Sequence, residues 1–334
     1  MGFLFERTED ITLINSGVYL REGSPRMISS TADATHFCNC KGQILIENCR
    51  FENMLDDATN VHGTYVEVAA VIDSKTVRVE LKHFEQSGFE FAAPGDVVWF
   101  IHHPDPRRAS ESAVASVRIV NERFIDLRFE DPLPRKLAKG DVLENKTWNP
   151  SFTLRGSVAR NHRARNIVLK TPLKTVIENN DFSSMMSAIF FRGETFFWFE
   201  SGNVEDVLIR NNRFKHCAYS QMEHAVVTVT PRLGAAFDPT IFYDRNIRIE
   251  DNVIETFDNR IVWADRVDGL IIKGNTIRQT HAATPMRPNA HLFDFKNCRN
   301  VTVSGNTYIG IHDRTVLADE ATKGSLIVEG NKGF

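Results

Sequence analysis

The chain has 334 residues, of which 42% are hydrophobic and 25% are charged, so it can bury a sizeable core and is not a disordered protein. Its 40 lysines and arginines stand against 43 aspartates and glutamates, a formal net charge of -3, which lacks the basic surplus typical of nucleic-acid-binding proteins. No run approaches the roughly 18 apolar residues of a membrane-spanning helix, so neither a nucleic acid nor a membrane is expected as a partner.

One pattern recurs along the chain: apolar, any, apolar, polar, Asn/Asp/Gly, Asn, any, apolar. Its copies begin at Ile11, Ile44, Thr175, Val207, Ile247, Leu270, Val301 and Leu326. The alternation predicts a short strand with one buried face, and the fifth position favours a tight left-handed turn. The sixth position is Asn at 180, 212, 252, 275, 306 and 331, at intervals of 23 to 40 residues. The pattern predicts an all-β fold, a right-handed parallel β-helix (solenoid) with an asparagine ladder at one corner.

Carboxylates concentrate in two segments of the first coils. Asp33 lies in one of them, and the other holds Asp56, Asp57, Asn60 and His62. The paired aspartates come 23 and 24 residues after Asp33, about one coil, so the two segments are expected on neighbouring rungs about 4.8 Å apart. Carboxyl groups diverging from such rungs would lie about 5–9 Å apart, which suits the acid pair of a glycosidase. A solvated turn and a calcium site made of hard oxygen ligands are alternative interpretations.

The five cysteines, at 38, 40, 49, 217 and 298, do not match the spacing of a zinc site. We expect them to be small buried residues rather than metal ligands.

A stretch of different character interrupts the repeat after Cys49. Segments 76–82, 115–120 and 124–129 alternate like antiparallel strands with one face in water. We therefore expect three regions: residues 1–65, the first part of the β-helix with the acids; residues 66–150, an inserted small β-barrel-like domain; and residues 151–334, the second part of the β-helix.

The segment 190–202 carries a second set of candidates. Trp198 offers a ring that can pack on the apolar face of a sugar, and Arg192 and Glu200 can bond its hydroxyls. The alternative is that this phenylalanine-rich segment belongs to the core and that Glu200 is an ordinary surface residue.

Taken together, these motifs resemble glycoside hydrolase family 110. The resemblance rests on residues 26–37, Cys40-Lys41-Gly42, residues 56–65, Arg163-Ala164-Arg165 and residues 198–202. It covers most of the chain, inserted barrel included. It implies an exo-acting α-galactosidase that releases terminal α-1,3-linked galactose, as in the blood-group B trisaccharide, with inversion and without a cofactor or metal.

The resemblance also implies roles for individual residues. Asp33, Asp56 and Asp57 would be the catalytic acids and bases. The expected substrate-binding residues are Arg26, His36, Asn60, His62, Arg192, Trp198 and Glu200. Adjacent carboxylates repel and raise the pKa of one of them, so we assign Asp56 and Asp57 to water activation and Asp33 to proton donation. The opposite assignment stays open.

This sequence departs from the family in one respect. Family members are longer and begin with a signal peptide and further coils, which implies a secreted or periplasmic protein, whereas this sequence opens inside the solenoid. A polygalacturonase-like hydrolase and a non-catalytic carbohydrate-binding β-helix are the alternative functions. The expected partner is a galactose-terminated glycan; the sequence leaves open a homodimer and the choice between branched and linear glycans.

Overall fold

The computed structural model describes residues 1–102, 105, 107–108, 110–195, 197–220, 224–233, 238 and 240–334, and its regular structure is almost entirely β-strand. In this described part, helix is limited to a 3₁₀ turn, Phe84–Gln86, and a short α-helix, Glu320–Lys323. None of the described helices is long and apolar enough to cross a membrane.

Three parallel sheets run along the molecule, and each coil contributes a strand to each of them in turn. The first sheet contains Phe3–Glu6, Thr35–Cys38, Thr59–Val71, Ile167–Leu169, Ile189–Phe191, Val227–Val229, Val262–Asp265, Phe293–Lys296 and Val316–Ala318. The second sheet contains Glu9–Ile14, Lys41–Glu47, Pro150–Arg155, Thr175–Glu178, Val207–Arg210, Asp244–Glu250, Val267–Lys273, Arg299–Ser304 and Leu326–Glu329. The third sheet contains Gly17–Val18, Arg50–Glu52, Val158–Arg160, Asp181–Ser184, Arg213–Cys217, Val253–Thr256, Thr276–Gln279 and Thr307–Ile309. This is the parallel β-helix that the repeat predicts.

The turn between the second and third sheets explains the two polar positions of the repeat. The fifth position takes a left-handed conformation, with φ of 57° at Asn179 and 54° at Asp251, which Asn, Asp and Gly adopt at low cost. The sixth position forms the ladder: Asn212 Nδ2 donates to Asn252 Oδ1 at 3.0 Å and to the carbonyl of Ile177 at 2.8 Å. Both features are confirmed.

The interior of the solenoid is a continuous apolar core. Its fully buried aromatic residues include Phe37, Phe51, Phe152, Phe191, Phe214, Phe293 and Phe295. All five cysteines carry free thiols; Cys38 is half-buried and the other four are buried. Burial raises the pKa of the Cys217 thiol to about 12, so it remains a neutral apolar group. The expectation that the cysteines pack as small buried residues is confirmed for those four.

The inserted segment forms a closed antiparallel barrel. Its six described strands are the second half of Thr59–Val71, then Thr76–Glu80, Val97–Ile101, Ser110–Ile119, Phe124–Phe129 and Val142–Asn145. The barrel has its own apolar core, separate from that of the solenoid. Because one long strand begins in the first sheet and ends in the barrel, the barrel is fixed beside the first sheet.

Candidate active site

The turns that lead from the third sheet back to the first sheet border a cavity of about 680 Å³. Asp33, Asp56 and Asp57 lie on these turns, and Asn60 comes next on the first sheet. The cavity is within the ~300–1,000 Å³ range of small-molecule sites. It is therefore large enough to hold a sugar unit.

The three aspartates converge in this cavity. One carboxylate oxygen from each lies within 4.8 Å of those of the other two. Their convergence results from the stacking, since Thr35 pairs with Thr59 and the turns before them are superposed. The nearest oxygens are closer than the separation of about 5–9 Å expected from the rung spacing, because Asp56 and Asp57 both lie on a turn and reach the same cavity.

Asp57 is bound by an arginine from the next coil. The backbone N–H of Arg165 donates to Asp57 Oδ1 at 2.9 Å, its Nε donates to the same oxygen at 2.7 Å, and its Nη2 donates to Oδ2 at 2.5 Å. Burial disfavours the guanidinium charge, but Asp57 more than offsets this and raises the pKa of Arg165. Both oxygens of Asp57 are thereby engaged.

Asp33 belongs to a chain of hydrogen bonds with two histidines. Its Oδ1 accepts from the backbone N–H of Asp57 at 3.1 Å, and its Oδ2 lies 2.7 Å from His36 Nδ1. His36 Nε2 lies 2.9 Å from His62 Nε2, and His62 Nδ1 lies 2.7 Å from the carbonyl of Gly63. A carbonyl only accepts, so His62 donates from Nδ1 and accepts from His36 at Nε2.

This chain of donors fixes the place of one proton. With His36 donating through Nε2, the remaining proton lies between His36 Nδ1 and Asp33 Oδ2. Burial lowers the pKa of His62 to about 4, so this ring is neutral. Burial opposes the charge on His36 too, but the hydrogen bond that His36 donates to Asp33 and the negative charge of Asp33 raise the pKa of His36. Burial also raises the pKa of Asp33, against the effect of His36. Asp33 and His36 therefore hold one proton between them.

Asp56 differs from the other two acids. Within the described part of the chain, no hydrogen bond to its carboxyl group is formed. Burial and the charges of Asp57 and Asp33 raise its pKa to about 6, against the opposing effect of Arg165 and Arg163. Of the three, Asp56 is the carboxyl group that keeps a proton not shared in a hydrogen bond up to about pH 6.

Glu200 and Asn60 complete the inner part of the cavity. Glu200 forms an ion pair with Lys170, which is only 3% exposed, and its Oε1 lies 3.6 Å from His62 Nε2. Burial raises the pKa of Glu200, but the charges of Lys170 and of His62, which is protonated at the low pH where Glu200 titrates, outweigh it, and the pKa lies well below its ordinary value. The buried Oδ1 of Asn60 has no hydrogen-bond partner among the described residues, so it can accept from a sugar hydroxyl.

The remaining predicted residues fall in different places. Arg192 and Trp198 line the cavity; the Arg192 guanidinium lies 4.4 Å from the centre of the Phe190 ring. Arg26 is exposed, and neither it nor His62 is among the described residues of the cavity wall. His62 therefore lies behind His36, and Arg26 contacts none of the described residues that line the cavity.

Several cavity residues had no assigned role in the sequence. Arg165 appeared only as part of a motif, and Lys170, Glu194 and His224 were not singled out. His224 Nδ1 lies 2.8 Å from Ser187 Oγ, and its buried Nε2 has no partner among the described residues. These residues come from coils after the insertion, so their distance in sequence from the aspartates hides their contact.

Comparisons with known proteins agree with this architecture. Residues 142–332 match a family model described as right handed beta helix region, and residues 76–143 match GLAA-B beta-barrel domain II. Alpha-1,3-galactosidase A of Bacteroides fragilis (strain YCH46) is 33% identical over 326 residues, which cover 97% of this chain and 54% of that protein. Alpha-1,3-galactosidase B of Phocaeicola vulgatus is 36% identical over 321 residues, which cover 91% of this chain and 54% of that protein. The chain thus spans about half the length of these curated relatives.

Among solved structures, the Gp54 tailspike of Acinetobacter baumannii bacteriophage AP22 aligns with 98% of this chain and 64% of its own. The identity is 10% and the TM-score 0.24, values too low to support an argument.

Proposed function

Because the chain belongs to the right-handed β-helix family and is similar to α-1,3-galactosidases over nearly its whole length, we propose that it hydrolyses terminal α-1,3-linked galactose from a glycan. The observation that carries the proposal is the convergence of Asp33, Asp56 and Asp57 in one cavity. Glycoside hydrolysis requires one protonated and one ionised carboxyl group beside the scissile bond.

We assign proton donation to Asp56, which is the opposite of the assignment made from the sequence. The raised pKa and the absence of a hydrogen-bond partner among the described residues support this choice. Asp56 gives its proton to the leaving oxygen as the bond from that oxygen to C1 of galactose breaks. The assignment from the sequence made Asp56 and Asp57 a shared base. It did not include the Arg165 guanidinium, which occupies both oxygens of Asp57.

The water that attacks C1 must lose a proton to a base. Asp33 is the better candidate, because with the proton of their 2.7 Å hydrogen bond held by His36 its carboxyl group is ionised and can accept the proton of water. Asp57, bound by Arg165, orients the turn and contributes negative charge that stabilises the cationic transition state. Attack from the face opposite the leaving group would give inversion.

The stereochemical course needs a direct measurement. The nearest carboxylate oxygens lie within 4.8 Å, whereas most inverting enzymes separate their two carboxyl groups by about 6.5–9.5 Å. Proton NMR of the first galactose released distinguishes the outcomes: β-galactose indicates inversion, and α-galactose contradicts it.

The assignment of Asp56 is tested with two substrates that differ in their need for an acid. Asp56→Asn should lower kcat/KM for an α-1,3-galactosyl disaccharide by about 100-fold or more, and much less for α-galactosyl fluoride, whose leaving group needs little protonation. Asp33→Asn is the matched control and should impair both substrates equally. Equal losses in Asp56→Asn would refute its role as the acid.

A substrate panel separates the alternative functions. Cleavage of galacturonan with α-galactosides untouched would favour a polygalacturonase-like hydrolase. Binding of α-galactosides without any cleavage would favour a non-catalytic carbohydrate-binding β-helix.

A further inference from the structure

We propose that aromatic rings at the mouth of the cavity bind the sugar to which the terminal galactose is attached, and that the inserted barrel supplies part of this site. The group, called here the aromatic mouth, consists of His83, Phe84, Phe197 and Trp198. This inference rests on the proposed function, because it assumes that galactose occupies the end of the cavity with the carboxylates.

The aromatic mouth is a cluster of three exposed rings beside the buried ring of His83. Phe84 is 78% exposed, Phe197 56% and Trp198 42%. Beneath them lies His83, whose side chain is only 10% exposed; its ring centre is 4.5 Å from that of Phe84 and 4.7 Å from that of Trp198. Phe197 packs edge-on against Trp198 at 5.1 Å. The contact of three neighbouring large rings with water is unfavourable in free energy. A bound apolar surface would remove this contact.

Two parts of the chain hold this cluster together. His83 and Phe84 belong to the barrel, whereas Phe197 and Trp198 belong to a turn of the solenoid. The side chain of Gln86 donates to the carbonyl of Trp198 at 3.3 Å, which ties the barrel to that turn. Glu194 accepts a hydrogen bond from the backbone N–H of Trp198. The backbone that carries Trp198 is therefore held against the barrel before any ligand binds.

The cluster is continuous with the cavity. Trp198 lines the cavity together with Glu85, the residue after Phe84 in the barrel, and with Glu194 and Arg232. The side chain of Glu85 is 65% exposed and that of Arg232 49% exposed, so both charged ends can reach ligand hydroxyls. Aromatic faces beside charged hydrogen-bonding groups suit a sugar, whose ring has an apolar face and a polar rim.

The position of the aromatic mouth determines which sugar unit of the glycan it would bind. The carboxylates must contact the bond between galactose and the next sugar, and the galactose occupies the buried end. The next sugar then projects towards the solvent-exposed mouth, where the rings lie. A glycan would thus be recognised over at least two units, with the barrel contacting the second.

The test compares two substrates that share galactose and differ in the group attached to its C1. One is a trisaccharide ending in α-1,3-galactose, and the other is α-galactosyl fluoride, whose leaving group has no ring to stack. In Phe84→Ala, the ratio of kcat/KM for the trisaccharide to that for the fluoride should fall about two- to tenfold, the value of one lost stacking contact. Ile119→Ala is the control: this side chain is 72% exposed on the barrel and does not line the cavity, so the ratio should not change.

The outcomes separate this inference from the proposed function. An active wild type with an unchanged ratio in Phe84→Ala overturns the inference and leaves the function intact. If the wild type cleaves neither substrate, the function fails, and calorimetric titration with the trisaccharide decides the inference: weaker binding to Phe84→Ala than to the wild type supports it. Equal or absent binding overturns it.

Discussion

At the residue scale, three aspartates of one cavity have different chemical environments. Asp57 is paired with Arg165, Asp33 is linked to His36, and Asp56 has no hydrogen-bond partner among the described residues. A catalytic acid must be protonated at the working pH, whereas a base must not be. The difference in their partners therefore supports the different roles that we propose for the three aspartates.

The pH dependence of activity depends on the Asp56 carboxyl group. Its pKa is raised to about 6, so the protonated fraction falls as pH rises through that value. We expect kcat/KM for an α-1,3-galactosyl disaccharide to fall tenfold per pH unit above about 6. The fall should be absent or much weaker with α-galactosyl fluoride. A disaccharide profile that stays flat to pH 8 would contradict the assignment.

The raised pKa of the Asp56 carboxyl group should also make the stability of the protein depend on pH. The folded state raises the pKa of Asp56 from 3.8 to about 6, so its contribution to stability is fully present below about pH 4 and is lost as pH rises through about 6. Asp56→Asn has no such loss. Calorimetry should therefore find the variant gaining stability relative to the wild type between pH 4 and pH 8. A constant difference across this range would mean that Asp56 is not perturbed.

At the element scale, the asparagine ladder stabilises the turn between the second and third sheets. Asn252 Nδ2 donates to Asn275 Oδ1 at 2.9 Å and to the carbonyl of Ile209 at 3.0 Å, and its Oδ1 accepts from the backbone and side-chain amides of Asn212. Each asparagine of the ladder thus forms hydrogen bonds with amide and carbonyl groups that the stacking of the coils buries.

Removal of an inner rung should be costly. Asn252→Ala leaves buried donors and acceptors without partners, so the free energy of unfolding should fall by about 3 kcal/mol. Asn331→Ala is the matched control at the end of the ladder, where the side chain is half-buried, and should cost about 1 kcal/mol. Urea denaturation measures both. Equal effects at the two positions would show that the ladder does not act through burial of its bonds.

At the scale of the whole molecule, one buried arginine of the barrel forms an ion pair within the barrel and a second one with the solenoid. Arg108 donates twice to Glu144, each time at 2.8 Å, and once to Glu205 on the solenoid at 3.0 Å. The Glu144 side chain is 0% exposed. Glu144 holds the Arg108 guanidinium in position, and the contact of Arg108 with Glu205 fixes the barrel next to the cavity, where the barrel contributes Glu85.

Loss of this arginine should destabilise the protein strongly. Arg108→Met leaves Glu144 buried without a partner, and the free energy of unfolding should fall by about 3–5 kcal/mol. Arg118→Met is the control, since Arg118 is 71% exposed and its partner Asp126 keeps Arg78; the cost should be below about 1 kcal/mol.

A double variant tests the mechanism of that loss. Replacing Glu144 by Leu in the Arg108→Met background should recover most of the stability in chemical denaturation, because the unpaired charge is gone. No recovery would mean that lost packing, and not the buried charge, accounts for the effect.

The sequence by itself determined the coil and its polar corner. The repeat sets the strand faces, and the fifth and sixth positions set the turn, because both depend on residues a few positions apart. It also brought Asp33 near Asp56 and Asp57, since an interval of one coil places two segments on adjacent rungs whatever the loops do.

The tertiary structure alone decided which partners these acids receive. Arg165 reaches Asp57 across 108 residues, and Gln86 reaches Trp198 across 112. Such contacts depend on which coils stack across the insertion and on how the barrel is docked, and no local period of the sequence encodes them. For the same reason, the sequence brought the three aspartates together but led to a different assignment of roles from the one that we propose: the charge state of a carboxyl group is set by its neighbours in space.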